Sequence, residues 1–101
     1  MSRREQLEEL LQSEPDDVFL NYALAKQCVS DGDTEGGLAG FARTLELDPN
    51  YVPAYFQQGQ VLAEQGKTDS AREIIHAGIA VAQKVGDTHA VGEMTEFLAM
   101  L

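Results

Sequence analysis

The feature that most constrains this chain is a period of 34 residues. Pro15 and Pro49 stand 34 apart, as do Gly32 and Gly66, Val18 and Val52, and Thr34 and Thr68. Conservative pairs keep the same register: Tyr22 with Phe56, Ala25 with Gly59, Glu35 with Asp69, Phe41 with Ile75, and Leu45 with Ile79. Shifted back once more, Leu7 and Leu11 fall in register with Phe41 and Leu45. A period that aligns prolines, glycines and apolar positions together marks a repeat. Such a unit cannot bury its apolar face alone and must stack on its neighbours.

Within the period the spacing is helical. Phe19, Leu20, Tyr22, Ala23, Leu24, Ala25, Cys28 and Val29 form one broad apolar face, and Leu38, Phe41, Ala42, Leu45 and Leu47 form the next. No stretch alternates with period two for long enough to make a strand. Six helices are expected, over 2–13, 17–30, 34–47, 51–64, 68–84 and 88–101. Asp16 or Asp17, Asn50, and Asp87 or Thr88 are expected to begin helices, and Thr34 and Thr68 stand where a cap is needed. Gly32 and Gly66 suit a left-handed residue closing a helix. Connections of two to five residues make neighbouring helices antiparallel. The last segment places Ala90, Val91, Met94, Phe97, Leu98 and Leu101 on one face, outside the 34-residue register, and reads as a capping helix. The divisions are an N-terminal helix at 1–14, repeats at 15–48 and 49–83, and a capping segment at 84–101.

These residues resemble the tetratricopeptide repeat, a 34-residue helix–turn–helix unit with the pattern Trp-x2-Leu-Gly-x2-Tyr, then Ala-x3-Phe, then Pro. The first repeat reads Asn21-x2-Leu24-Ala25-x2-Cys28, then Gly37-x3-Phe41, then Pro49. The second reads Tyr55-x2-Gln58-Gly59-x2-Leu62, then Ala71-x3-Ile75, with Gln83 in place of Pro. Asn21 replaces a large aromatic and Gln58 replaces Leu. The resemblance covers 15–83 and implies an all-α fold: a right-handed superhelical array of antiparallel helix pairs, as in small stand-alone bacterial proteins of this family.

Charge narrows the partners. Seventeen acids against seven bases give a net charge of -10. That field repels phosphate backbones and anionic lipid heads, so neither nucleic acid nor a membrane is expected. The N-terminus has no apolar run of the kind a signal peptide needs, and a cytoplasmic location is expected. The single cysteine, Cys28, has apolar neighbours at helical spacing and reads as a buried, inert thiol.

Chemistry finds little footing. "DGDTEGGLAGF" (31–41) alternates acids but lacks the closing acid of a calcium loop. As a dinucleotide loop it would put Glu35 where the first glycine belongs. In register it is a helix–helix turn followed by a helix. Gly37 occupies the family's small-residue position. Gly36 and Gly40 align with Ser70 and Ile74, so each is expected only to loosen that helix, by about 1 kcal/mol relative to Ala. His89, Glu93 and Glu96 share a helical face, which reads as solvated surface. No catalytic grouping, cofactor or metal is expected.

Recognition remains. The resemblance implies that the first helix of each repeat lines a concave groove for a peptide or protein. The groove-facing candidates are Phe19, Tyr22, Lys26 and Val29 in the first repeat, and Phe56, Gln57, Gln60 and Glu64 in the second. Tyr22 and Phe56 read equally well as core. The family's clamp for acidic chaperone C-termini sits poorly with the -10 charge, and a basic or neutral partner fits the overall field better. The alternative is a self-associating unit, a homodimer through the apolar C-terminal helix.

Overall fold

A computed structural model describes all 101 residues. It contains six helices and no strand: α1 (Arg3–Ser13), α2 (Val18–Ser30), α3 (Thr34–Leu47), α4 (Val52–Glu64), α5 (Thr68–Val85) and α6 (Thr88–Ala99). Each lies within one or two residues of its expected bounds.

Local chemistry fixes the starts of most helices. Ser2 and Glu5 form a capping box on α1: the Ser2 hydroxyl accepts from the Glu5 N–H at 3.1 Å, and the Ser2 N–H donates to the Glu5 carboxylate at 3.2 Å. Asp17, Asp33 and Asp87 accept from the backbone N–H groups of Leu20, Gly36 and Ala90, and so cap α2, α3 and α6. Three expected caps are corrected. Asn50 does not cap α4; its N–H donates to Asp48 Oδ1 within the preceding turn, and α4 begins after Tyr51 without a side-chain cap. Thr34 and Thr68 are the first helical residues, so the cap positions fall on Asp33 and Lys67. Lys67 has no acceptor to offer there.

The helix ends repeat one device. Gly32, Gly66 and Gly86 have φ of 85°, 78° and 81°, the left-handed region that glycine enters without steric cost. Each is followed by a reverse bond to the helix it closes: Asp33 N–H to Cys28, Lys67 N–H to Leu62 and Asp87 N–H to Ala82, all between 2.8 and 2.9 Å. The proline turns repeat another. The Asn21 amide donates to the Pro15 carbonyl at 3.0 Å, and the Tyr55 hydroxyl donates to the Pro49 carbonyl at 2.7 Å. Asn21 thus performs one task of the large aromatic residue it replaces. It also donates to the Asp17 carbonyl at 2.8 Å.

Helices pair along the chain, α2 with α3 and α4 with α5, while α2, α4 and α6 also touch one another in turn. That second set of contacts brings the first helices of successive units onto one side. Two core clusters hold the stack. Ala25, Phe41, Ala54 and Val61 join the first repeat to α4; Val52, Tyr55, Ile75, Ala82 and Met94 join the second to α6. Burying the Met94 side chain fully contributes about 1.5–3 kcal/mol. At the other end α1 buries Leu7 and is tied across by Arg4, whose guanidinium donates to Asp33 at 3.0 Å.

The helix pairs touch closely at small residues, and here the reading of Gly40 is corrected. A Cβ on Gly40 would stand 2.6 Å from Ala25 Cβ and 3.1 Å from Ala25 Cα, so this glycine lets α3 approach α2. Its register mate is Ile74. In the second repeat Gly59, the register mate of Ala25, lies against Ile74 and Ile75. The small partner has moved from the second helix to the first, and the close contact is kept. A Cβ on Gly36, by contrast, would first meet the Asp33 carboxylate, the far end of a side chain.

Candidate partner-binding face

The side shared by α2, α4 and α6 carries two open cavities that have Tyr22 as a common lining residue. The first, about 320 Å³, is lined by Phe19, Tyr22, Ala23, Lys26, Gln27 and Ser30 of α2, with Arg3 of α1. The second, about 180 Å³, lies between the starts of α4 and α6 and takes Tyr22, Val52, Pro53, Phe56, Gln57, Asp87, His89, Ala90, Glu93 and Met94.

The structure therefore brings together five of the eight residues named from sequence. Phe19, Tyr22 and Lys26 share the first cavity; Phe56 and Gln57 join Tyr22 in the second. Phe19 projects its ring with 62% of its surface exposed, an unusual state for a large aromatic on a small domain. Lys26 Nζ stands 5.7 Å from the centre of the Tyr22 ring. The other three lie elsewhere. Val29 is turned inward: it abuts Gly37 and packs against the Ala25–Phe41 cluster. The i+3 step from Lys26 carries it off the open face and onto α3. Gln60 is half-buried and Glu64 exposed, and neither lines a cavity.

Tyr22 and Phe56 serve core and surface at once. The Tyr22 ring lies 5.9 Å from Phe41 and 5.0 Å from Tyr51, and Phe56 meets Phe97 of α6 edge-on at 5.7 Å. Both rings are anchored from behind and open in front, so their positions are set before any partner arrives. Burial raises the Tyr22 phenol above its ordinary value; nearby Tyr51 adds to this, and the neighbouring Gln57 amide opposes it. The phenol thus stays protonated and can donate or accept.

Sequence periodicity missed Arg3, Asp87, His89 and Glu93. They reach this face from α1 and α6, which stand outside the two repeats, and only helix stacking brings them in.

Elsewhere, acids that looked available are engaged. Asp33 caps α3 and pairs with Arg4; those two bonds, the Gly36 N–H first, hold its carboxyl below the ordinary value. Asp31 accepts from the Gln27 amide at 2.9 Å. Within the second cavity Glu93 stands 3.2 Å from His89 Nε2, and no three ligating side chains come together. Cys28 is buried, which pushes its thiol up and away from reactivity. The apolar side of α6 is committed inward: Met94 is fully buried and Phe97 and Leu98 pack on the second core cluster, while Met100, just past the helix, is 77% exposed. No helix is long and apolar enough to cross a membrane.

Known proteins give the same architecture. A family profile for the tetratricopeptide repeat matches residues 41–73. A TPR repeat-containing protein of Pseudomonas aeruginosa is 33% identical over 97 residues, which span 96% of this chain and 92% of that relative. The solution structure of a Bordetella parapertussis protein superposes with a TM-score of 0.87 at 30% identity, covering 99% of this chain and 87% of that one. The TPR2B domain of yeast Sti1, solved in complex with pHsp70, gives a TM-score of 0.89 over 95% of this chain and 77% of that one. Its 19% identity speaks to fold alone.

Proposed function

This chain belongs to the tetratricopeptide repeat family, whose fold mediates protein–protein interaction, and from that premise we propose that it is a non-catalytic module holding a peptide or protein segment in the groove along α2 and α4, closed at one end by α6. The observation that carries this reading is the pair of cavities meeting at Tyr22. They offer aromatic rings fixed from behind, an amide at Gln57 and a cation at Lys26, and no assembled nucleophile, base and orienting group. Rigid rings with polar edges suit contact with an extended segment, because little side-chain freedom is lost on binding. The complex of the Sti1 domain with pHsp70 illustrates that a fold of this shape can hold a partner.

The test is to select binders from a random peptide library and map them on the labelled protein by NMR. The largest shifts are expected at Phe19, Tyr22, Phe56 and Gln57. Phe19→Ala is expected to weaken binding while leaving the melting point nearly unchanged, because Phe19 is mostly exposed. Shifts confined to the outward surfaces of α1, α3 and α5 would remove the groove from the account.

A further inference from the structure

The groove is electrically divided, and the division runs against the character of the chain. Arg4, Arg43 and Arg72 are held in ion pairs with Asp33, Asp16 and Asp69. Of the seven bases, Arg3, Lys26, Lys67 and Lys84 form no ion pair, and two of these four, Arg3 and Lys26, line the first cavity. No carboxylate lines it, although the chain carries seventeen. The second cavity holds Asp87 and Glu93 and no Lys or Arg. Asp87 is fixed by its bond from the Ala90 N–H, and Glu93 faces His89. Tyr22 belongs to both cavities and marks the crossing. A low-dielectric wall between opposite charges sharpens the local field within a Debye length, even where the distant field is negative.

We propose that this groove is bipolar and selects an extended segment of matching polarity: an acidic residue between Arg3 and Lys26, an apolar residue on the Phe19 and Tyr22 rings, and a basic residue at the Asp87–Glu93 end. This rests on the groove reading above and adds to it the chemistry of the occupant. Complementary charge sets both the position of the segment along the groove and the rejection of uniformly charged competitors, since like charges meet at one end or the other.

The experiment uses the full chain and four short blocked peptides sharing one Leu-Phe-Ala-Leu centre. One has Asp-Glu at one end and Lys-Lys at the other, one is acidic at both ends, one is basic at both ends, and one carries Asn and Gln throughout. Affinities are read by fluorescence anisotropy at low and high salt, and footprints by NMR. The bipolar peptide is expected to bind about fivefold to tenfold tighter than either uniformly charged peptide at low salt, an advantage that salt removes. Arg3→Glu with Lys26→Glu is expected to abolish that advantage, and Glu93→Lys to transfer preference to the acidic peptide. These three residues are exposed, so the variants are expected to fold, and circular dichroism melts are the check.

The outcomes separate the two claims. Tightest binding by the basic peptide makes the -10 net charge the cause and overturns the bipolar groove. Equal binding of charged and uncharged peptides at Tyr22 and Phe56 overturns the inference while the groove reading stands. No binding by any of the four also overturns it, whereas a library-selected partner mapping away from α2 and α4 removes the groove itself.

Discussion

Replacing Gly40 by Ala sets two effects against each other at one position. Alanine favours the helical backbone by about 0.8–1.0 kcal/mol over glycine, so α3 would gain if the site were open. It is not open: the added Cβ would stand 2.6 Å from Ala25 Cβ and 3.1 Å from Ala25 Cα. Neither atom can rotate away, because both are fixed to the α2 backbone, so α2 and α3 must separate by some tenths of an ångström. Forcing a methyl into a packed contact costs about 1–3 kcal/mol. The net expectation is a loss of roughly 1 kcal/mol, or about 4–8 °C in a domain of this size. Gly92 is the internal control. It lies in the body of α6 with nothing within 4 Å of a Cβ, so Gly92→Ala should gain roughly 1 kcal/mol from the backbone term alone. The assay is urea unfolding followed by circular dichroism, with unchanged slope confirming that stability moved. Ala25→Gly should restore much of what Gly40→Ala loses, although by itself it weakens α2, because the two positions share one contact. Gly40→Ala as stable as Gly92→Ala would refute the close-approach argument and return Gly40 to a merely loosening role.

The other expectations concern titration, the thiol, the proline turn and the mass. The depressed Asp33 carboxyl contributes stability that is present above its unfolded pKa, near 3.8, and lost as pH falls through its lower folded value. Asp33→Asn should therefore be less stable than wild type at neutral pH, with the gap narrowing in acid; a gap constant at every pH contradicts this. Cys28 should react slowly with a thiol reagent in the native protein and rapidly in urea, since burial both shields it and raises its pKa; equal rates would place it at the surface. Tyr55→Phe removes the bond to the Pro49 carbonyl and should cost about 1 kcal/mol, read by thermal melting; no loss would mean that the turn is held by packing alone. Light scattering should report a monomer of 11.0 kDa, because Met94, Phe97 and Leu98 are turned inward; a mass of twice that would revive self-association through α6.

Much of the fold is legible in the sequence because its signals are local. A glycine at φ 85° closing α2, or Asp17 accepting from Leu20 three residues on, involves atoms within one turn of chain, and residue types report them directly. The 34-residue register carries the same information from one unit to the next. Where local reading failed, it failed by one residue or one face. Asn50 is a good cap by composition, yet α4 starts at Val52 and the cap position falls on Tyr51. Val29 follows Lys26 by one helical step, yet that step crosses from the open side to α3.

The sequence by itself determined six helices, their turns and their pairing, since hydrophobic period and turn chemistry act over a few residues. Tertiary structure decided the rest. It chose Gly40 as a contact and not a flaw, because only the approach of α2 shows where Ala25 lies. It set Phe97 behind Phe56, and so turned the apolar side of α6 inward. It brought Arg3 of α1 to Lys26 of α2 at one end of the groove, and set Asp87 and Glu93 of α6 beside Tyr22 and Phe56 at the other. Arg3, Asp87 and Glu93 come from α1 and α6, outside the 34-residue register, and where they meet the groove depends on how far each helix is offset and rotated on the last. Side-chain volumes summed across every interface fix that offset, and no periodicity along the chain records the sum.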